Sequence, residues 1–386
     1  MCNNKSMKNV GIFGGSFNPV HIEHRVIAEQ AIKELKLDKL YIVPSFVAPH
    51  KIGVVTASGE HRINMLKIAF KGASKVEISD FELQNKGTSY TYITVEHFKS
   101  LHKDDNLFFI CGGDMLADFK TWKNPDRILS VCTLAVFDRL GFSVDYQKER
   151  EYFIKTFNRE FIKLDYQGKY FSSTRARVYL SLYLNEDGML DKKVFDYIKE
   201  NNLYSGNKIT DFLKENLTEK RRVHTAEVTI TALEKYKELS LSLEKVKTTA
   251  LLHDCAKYLD YNNYKDFVLP EGVPKPVIHA FLGSYIAEKV LGITDEEILD
   301  AIKYHTSGKA NMSTLAKLIF VADMVEKNRN YQGVELLRAL YQTDFERCFC
   351  ECVKEEMVHL INKKEPIYIE TINAYEYYVK KEGQNG

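Results

Sequence analysis

The chain has 386 residues, 45% of them hydrophobic and 28% charged, with a formal net charge of +1. That length accommodates two domains of ordinary size, and the near-neutral balance gives no global electrostatic ground for nucleic acid or a membrane as partner. The opening Met1-Cys2-Asn3-Asn4-Lys5 lacks a signal-peptide apolar run, no stretch reads as a membrane span, and seven irregularly spaced cysteines suit reduced thiols, so a cytoplasmic setting is expected.

In chain order, strands are predicted at 10–13, 40–43, 76–78, 107–111 and 133–137, with helical spacing over 25–35, 61–70 and 92–101. This alternation predicts an α/β fold, a Rossmann-like, doubly wound parallel sheet with helices on its faces. A helix over 192–200 stops at Asn201-Asn202-Leu203-Tyr204-Ser205-Gly206, and strand signals vanish from Ile209 onward. Helical spacing over 225–236, 244–258, 277–290, 296–305, 314–326 and 343–361 predicts an all-α second half. The boundary is placed near Gly206, giving domains 1–205 and 206–386. Cys348, Cys350 and Cys352 are read as helix thiols rather than metal ligands, because on a helix Cys350 points away from the other two.

The run Gly14-Gly15-Ser16-Phe17-Asn18-Pro19-Val20-His21-Ile22-Glu23-His24 follows the first strand and leads into a helix. A glycine turn between strand and helix presents free N–H groups to a phosphate. His21 and His24, three apart, share a face of the first helical turn and can hold triphosphate oxygens while charge builds on the leaving group. Ser173 and Thr174 open a second helix, where hydroxyls and free N–H groups meet anions, and Arg177 lies one turn on with a fork of donors. Nucleotidyl transfer without a covalent nucleophile is the chemistry these residues suit, with Mg²⁺ bridging ATP oxygens and taking most of its ligands from substrate and water.

Together with Pro49-His50-Lys51, Ser89-Tyr90-Thr91, Gly112-Gly113-Asp114, Trp122 and Ser172-Ser173-Thr174-Arg175-Ala176-Arg177, the run resembles bacterial nicotinate-mononucleotide adenylyltransferase over about residues 8–205. The resemblance implies that AMP passes from ATP to nicotinate mononucleotide, giving deamido-NAD and pyrophosphate. It implies ATP contacts from Gly14, Gly15, Ser16, Phe17, Gly112, Asp114, Ser173, Thr174 and Arg177. It places the pyridine mononucleotide against His50, Lys51, Tyr90, Thr91 and Trp122, with Trp122 stacked on the ring. Asn18, Glu23 and Ala176 depart from the family pattern, which has Asp, Gly and a branched apolar residue there. An inward Glu23 carboxylate would weaken ATP binding; an outward one would not.

In the second half, His224, His253, Asp254, His279, His305 and Asp323 fall in separate helical patterns. Neutral imidazoles with carboxylates, one of which can bridge, suit a two-metal centre that activates water and neutralises polyphosphate. The stretches Arg222-Val223-His224-Thr225, Leu251-Leu252-His253-Asp254-Cys255-Ala256-Lys257, His279-Ala280-Phe281-Leu282-Gly283, Tyr304-His305-Thr306-Ser307-Gly308 and 322–329 resemble the YqeK type of HD-superfamily hydrolase over about 208–380. That resemblance implies symmetrical hydrolysis of diadenosine tetraphosphate to two ADP, with iron as the metal; the ligand spacing by itself does not choose iron over manganese or cobalt. Asp254 is expected to be the catalytic carboxylate, and Lys257, Lys309 and Arg329 are candidates for substrate phosphate. Two alternatives stand for this half: a nucleotide-sensing regulatory module, or cleavage of another nucleotide phosphate. Homo-oligomerisation is left open.

Overall fold

A computed structural model of the chain describes residues 6–46, 57–85, 87, 90–138, 144–168 and 171–380. His50, Lys51 and Ser89 lie outside the described residues. The chain divides into two compact units: residues 1–177 with 185–204, and residues 178–184 with 205–386. Within the second unit, the Tyr179 hydroxyl donates to Glu227, and Arg222 donates to the Leu182 carbonyl at 2.6 Å.

The first unit is built on six strands: β1 (Asn9–Gly15), β2 (Lys39–Pro44), β3 (Val76–Ile78), β4 (Asn106–Gly112), β5 (Thr133–Asp138) and β6 (Ile162–Gln167). All neighbouring strands pair in parallel, in the order β3-β2-β1-β4-β5-β6. The inner strands are near-continuous apolar runs because helices cover both faces. One face packs Val10, Ile12, Tyr41, Val43, Phe109 and Val136 against Val95, Phe98 and Phe153. Each such side chain removed from water contributes about 1.5–3 kcal/mol. Strand β6 has no counterpart among the sequence-predicted strands. At the sheet edge, its Ile-Lys-Leu-Asp-Tyr-Gln alternation carries a weaker apolar signal than the inner runs. Chain order reverses between β1 and β4, and at such a switch point ligands bind at the strands' carboxyl ends. Gly14 and Gly15 end β1, and Gly112 ends β4.

Every described element of the second unit is helical. The helix predicted over 244–258 ends at Leu252, and the one predicted over 296–305 ends at Lys303. In both cases a histidine ends the ladder. His253 Nδ1 lies 2.7 Å from the Ala250 carbonyl and His305 Nδ1 2.7 Å from that of Ile302. Each imidazole thus takes a carbonyl that the helix would otherwise use four residues on. The helix predicted over 343–361 runs Phe345–Lys363, started where Asp344 caps it by accepting from Arg347 N–H, and it is preceded by a helix, Val334–Thr343, that was not predicted. On the helix Phe345–Lys363, Cys348 and Cys352 are buried and Cys350 is half-buried, all as free thiols. Among the described residues no helix is long and apolar enough to cross a membrane.

Candidate active sites

The first site gathers at the switch point. Phe17, at φ +44°, turns the chain sharply after β1 and buries its ring against Phe13 (5.5 Å between centroids) and His24 (4.9 Å). Its side chain supports the histidine from below. Gly14 and Gly15 are close-approach positions, where an added Cβ would meet the Phe109 and Phe17 rings at 3.1 Å. His21 caps the helix Ile22–Glu34, and its N–H donates to His24 Nδ1 at 3.1 Å. A ring nitrogen that accepts carries no hydrogen, so His24 is fixed as the tautomer with Nε2–H as donor. The two imidazole centroids lie 3.8 Å apart.

The helix Ser173–Ser181 meets the same loop. Ser173 Oγ donates to the Pro19 carbonyl at 3.0 Å, and Arg177 donates to the Asn18 carbonyl at 2.8 Å and to Thr174 Oγ1 at 3.1 Å. The Asn18 side chain accepts from Ala57 N–H and the Tyr204 hydroxyl, so in place of an acid it works as a loop hub. Arg62, buried on the inner face of the helix Gly59–Ala69, donates to the carbonyls of Ser16 (2.9 Å) and Ser45 (2.7 Å). Sequence reasoning missed Arg62. Its signal was a cation on the apolar stripe formed with Met65, Leu66 and Ala69. Burial depresses the pKa of both Arg62 and Arg177, with Tyr204 opposing it.

Glu23 is buried, and the Tyr166 hydroxyl of β6 donates to its carboxylate. A carboxylate in a first helical turn is also favoured by the helix dipole. Asp114 sits in the first turn after Gly112, in the helix Gly113–Ala117. Tyr90 caps the helix Thr91–Leu101, with Lys123 Nζ 4.4 Å from its ring centroid. Trp122 is half-buried, with Phe119 and Phe109 at 5.1 and 6.1 Å between ring centroids.

The six later candidates converge. His224 comes from the helix Glu219–Lys235, His279 from Ile278–Tyr285 and Asp323 from Thr314–Val325, while His253, Asp254 and His305 follow helix ends. His224 Nε2 lies 3.0 Å from Asp323 Oδ1 and 3.4 Å from His253 Nε2. His279 Nε2 lies 3.0 Å from Asp254 Oδ1 and 3.4 Å from His305 Nε2. Two ligand groups follow, His224–His253–Asp254 and Asp254–His279–His305, each with donor atoms within 4.8 Å of one another. Asp254 belongs to both.

The donor chemistry fits metal ions. Backbone carbonyls can only accept, so His253 and His305 hold their hydrogens on Nδ1 and turn Nε2 lone pairs inward. Asp254 Oδ1 is buried with no well-directed hydrogen-bond donor. Burial holds His253 neutral, at about 3, and also lowers His279. Burial alone would raise Asp254, but the imidazoles of His253, His279 and His305 and the Lys257 ammonium outweigh it and hold the carboxyl well below its usual range. Burial likewise opposes a rise in His224, yet hydrogen bonds to Asp323 and Glu326 carry it up to about 9.

Lys257 Nζ lies 3.1 Å from His279 Nε2, and Arg329 binds the Asp323 carboxylate and its carbonyl. Lys309 is placed differently: it pairs with Asp300 at 2.7 Å and lies over the Tyr304 ring. Sequence reasoning missed Glu326, which faces His224 Nδ1 at 3.1 Å, and Arg221, which donates to Asp254 Oδ2 at 2.7 Å. Arg221 and Glu326 each stood three residues from a named ligand, on the same helical face or just past it.

Glu356, on the helix Phe345–Lys363, is shifted upward to about 7 by burial and the Asp323 carboxylate, against Arg329. A folded value above the ordinary 4.5 means that the folded chain holds this proton more tightly than the unfolded one. The stabilisation is whole below about pH 4.5 and is lost as pH rises through about 7. Glu356→Gln is expected to flatten that part of the stability profile in metal-free protein, read as Tm from about pH 5 to pH 8. An unchanged profile would assign the titration to another group.

The family model described as cytidylyltransferase-like matches residues 12–178, and the HD domain model matches residues 221–328. A Clostridium acetobutylicum protein described as a probable nicotinate-nucleotide adenylyltransferase is 41% identical over 201 residues, 51% of this chain and 100% of that protein. A Mycoplasma genitalium protein described as a probable nicotinate-nucleotide adenylyltransferase/Ap4A hydrolase is 29% identical over 336 residues, covering 84% of this chain and 90% of its own. A solved structure from Clostridium acetobutylicum, described as a predicted HD superfamily hydrolase involved in NAD metabolism, is 32% identical. It covers 45% of this chain and 96% of its own at a TM-score of 0.41.

Proposed function

The chain belongs through its first half to the nicotinate-nucleotide adenylyltransferase family and carries an HD domain in its second, and we propose that it is a bifunctional enzyme of nucleotide metabolism. Residues 1–205 transfer AMP from ATP to nicotinate mononucleotide, releasing pyrophosphate and deamido-NAD. Residues 206–386 hydrolyse diadenosine tetraphosphate symmetrically to two ADP.

The observation that carries the first activity is the meeting of two helix starts on one loop. Ser173 and Arg177 bind the carbonyls of Pro19 and Asn18 beside His21 and His24. ATP lies across the ends of β1 and β4, its triphosphate taken by loop N–H groups, the His24 Nε2–H, Thr174 and Arg177. Gly112 and Asp114 serve the adenosine end, and Tyr90, Thr91 and Trp122 serve the pyridine, with His50 and Lys51 joining them. The mononucleotide phosphate attacks the α-phosphorus in line as pyrophosphate departs, and the donors meet the growing charge on the departing oxygens. Mg²⁺ bound to ATP would take most of its ligands from substrate oxygens and water and would offset triphosphate charge.

The observation that carries the second activity is Asp254, common to two three-ligand groups. His224, His253, Asp254, His279, His305 and Asp323 would hold two ions, with iron the assignment. When bound, such a pair supplies an activated water and neutralises phosphate charge. The chain's own residues orient the rest. The carbonyls of Ala250 and Ile302 aim His253 and His305, Glu326 aims His224, and Lys257 and Arg329 receive phosphate oxygens. Reduced thiols at the described cysteines suit a cytoplasmic setting.

The test is a substrate panel on the full chain. With ATP, we expect strong preference for nicotinate mononucleotide over its amide form and over phosphopantetheine; comparable use of the amide defeats that assignment. With metal restored, we expect two ADP from diadenosine tetraphosphate. Binding without turnover would make the second half a sensor, and turnover of another nucleotide phosphate alone would replace the substrate.

A further inference from the structure

Beyond the metal ligands, one short chain of contacts leads outward from the cluster. Arg221 donates to Asp254 Oδ2 at 2.7 Å and is itself a quarter exposed. Next to it stands Tyr258, in the turn that carries Asp254 and Lys257. Tyr258 is 54% exposed, an unusual state for a large ring beside a buried polar cluster. Its hydroxyl lies 3.5 Å from Thr218 Oγ1. Hydrogen bonds from Thr218 and Arg221 lower its pKa, while the Asp254 carboxylate works in the other direction. The phenol oxygen thus faces the start of the helix carrying His224, and more than half of the residue is open to solvent.

Polyphosphate chemistry gives such a ring a use. A nucleoside diphosphate unit with its terminal phosphate at the ligand cluster must send its base outward past the flanking cations. Lys257 and Arg221 are the cations on this side. An exposed aromatic face just beyond them can stack on a base without reading its edge.

We propose that Tyr258 is the nucleobase rest of the hydrolase site, in the same turn as Asp254 and Lys257. The ligand class is a purine nucleoside di- or polyphosphate. This reading rests on the phosphohydrolase assignment and adds to it the residue that distinguishes nucleotides from base-free polyphosphates.

The experiment uses the full chain with Tyr258→Ala and Tyr258→Phe. Binding of a fluorescent etheno-adenosine diphosphate is followed in metal-free protein, with excess deamido-NAD blocking the transferase site. In parallel, KM and kcat for diadenosine tetraphosphate and inhibition by inorganic tripolyphosphate are measured with metal present. Tyr258→Ala is expected to weaken etheno-nucleotide binding and raise KM about tenfold, the scale of one base–aromatic stack. Its kcat should stay within about twofold and tripolyphosphate inhibition should not move. Tyr258→Phe, which keeps the ring, should bind like the parent. Unchanged nucleotide binding in Tyr258→Ala, or an equal loss for tripolyphosphate, overturns the proposal. If the parent protein leaves diadenosine tetraphosphate intact, the hydrolase substrate is what fails, and the binding arm still decides the role of Tyr258.

Discussion

Asp254→Asn is expected to remove hydrolysis of diadenosine tetraphosphate, with kcat falling on the order of 10³-fold or more, beyond the ~10–100-fold typical of changes around a metal's ligands. The substitution keeps the side-chain shape and deletes one negative charge. That charge is the one common to both ligand groups. Without it, the His279–His305 side has a neutral amide in place of its carboxylate, and the His224–His253 side is left with Asp323 as its anionic group. Glu326→Gln is the contrast: Glu326 touches His224 Nδ1 and no further ligand, so metal affinity should drop by only ~10–100-fold. Bound metal per chain, hydrolase rate and adenylyl transfer are measured together. Transfer should persist in both variants, because none of its candidate residues lies in the second unit. If Asp254→Asn retained half its turnover with full metal content, the carboxylate would have no part in the reaction.

His24→Ala should reduce adenylyl transfer by about 10²–10³-fold in kcat, the usual cost of losing one positioned donor to developing charge. The ring does two things: Nδ1 accepts the His21 N–H at the helix start, and Nε2–H remains for a phosphate oxygen. Losing the cap costs about 1 kcal/mol of stability, which by itself does not slow chemistry a hundredfold. His24→Asn separates the roles, since a short amide can accept from the His21 N–H yet does not reach as far outward. Melting temperature near the parent value with transfer still down would assign the loss to Nε2–H. Recovery of turnover in His24→Asn would reduce His24 to a structural cap. Hydrolysis in the second half should be unaffected by either variant.

Much of the molecule could be read locally. Alternation of short apolar runs with helical spacing marked the α/β half, and the disappearance of strand signals marked the helical half. Both signals live within windows of about ten residues. The glycine–histidine run and the six metal-ligand candidates were visible as residue types in order. The edge strand Ile162–Gln167 was not visible, because an edge position relaxes the demand for an apolar run. The helix ends at Leu252 and Lys303 were overrun, because the stop comes from imidazoles taking backbone carbonyls, an event without a glycine or proline to announce it. Lys309, a candidate phosphate contact by residue type, pairs with Asp300 at 2.7 Å, a partner that its place in the sequence did not announce.

The sequence by itself determined the order of the two fold classes, the glycine–histidine run and the residue types at the six later candidate positions, since each can be read within a short stretch of chain. Only the tertiary structure decided what those groups face. It set Arg62 beneath the carbonyls of Ser16 and Ser45, gave the Glu23 carboxylate a hydroxyl from Tyr166 far along the chain, and placed Asp254 within reach of both histidine pairs. Those pairings join segments far apart in the chain, and they arise from how sheet and helices pack rather than from any local preference.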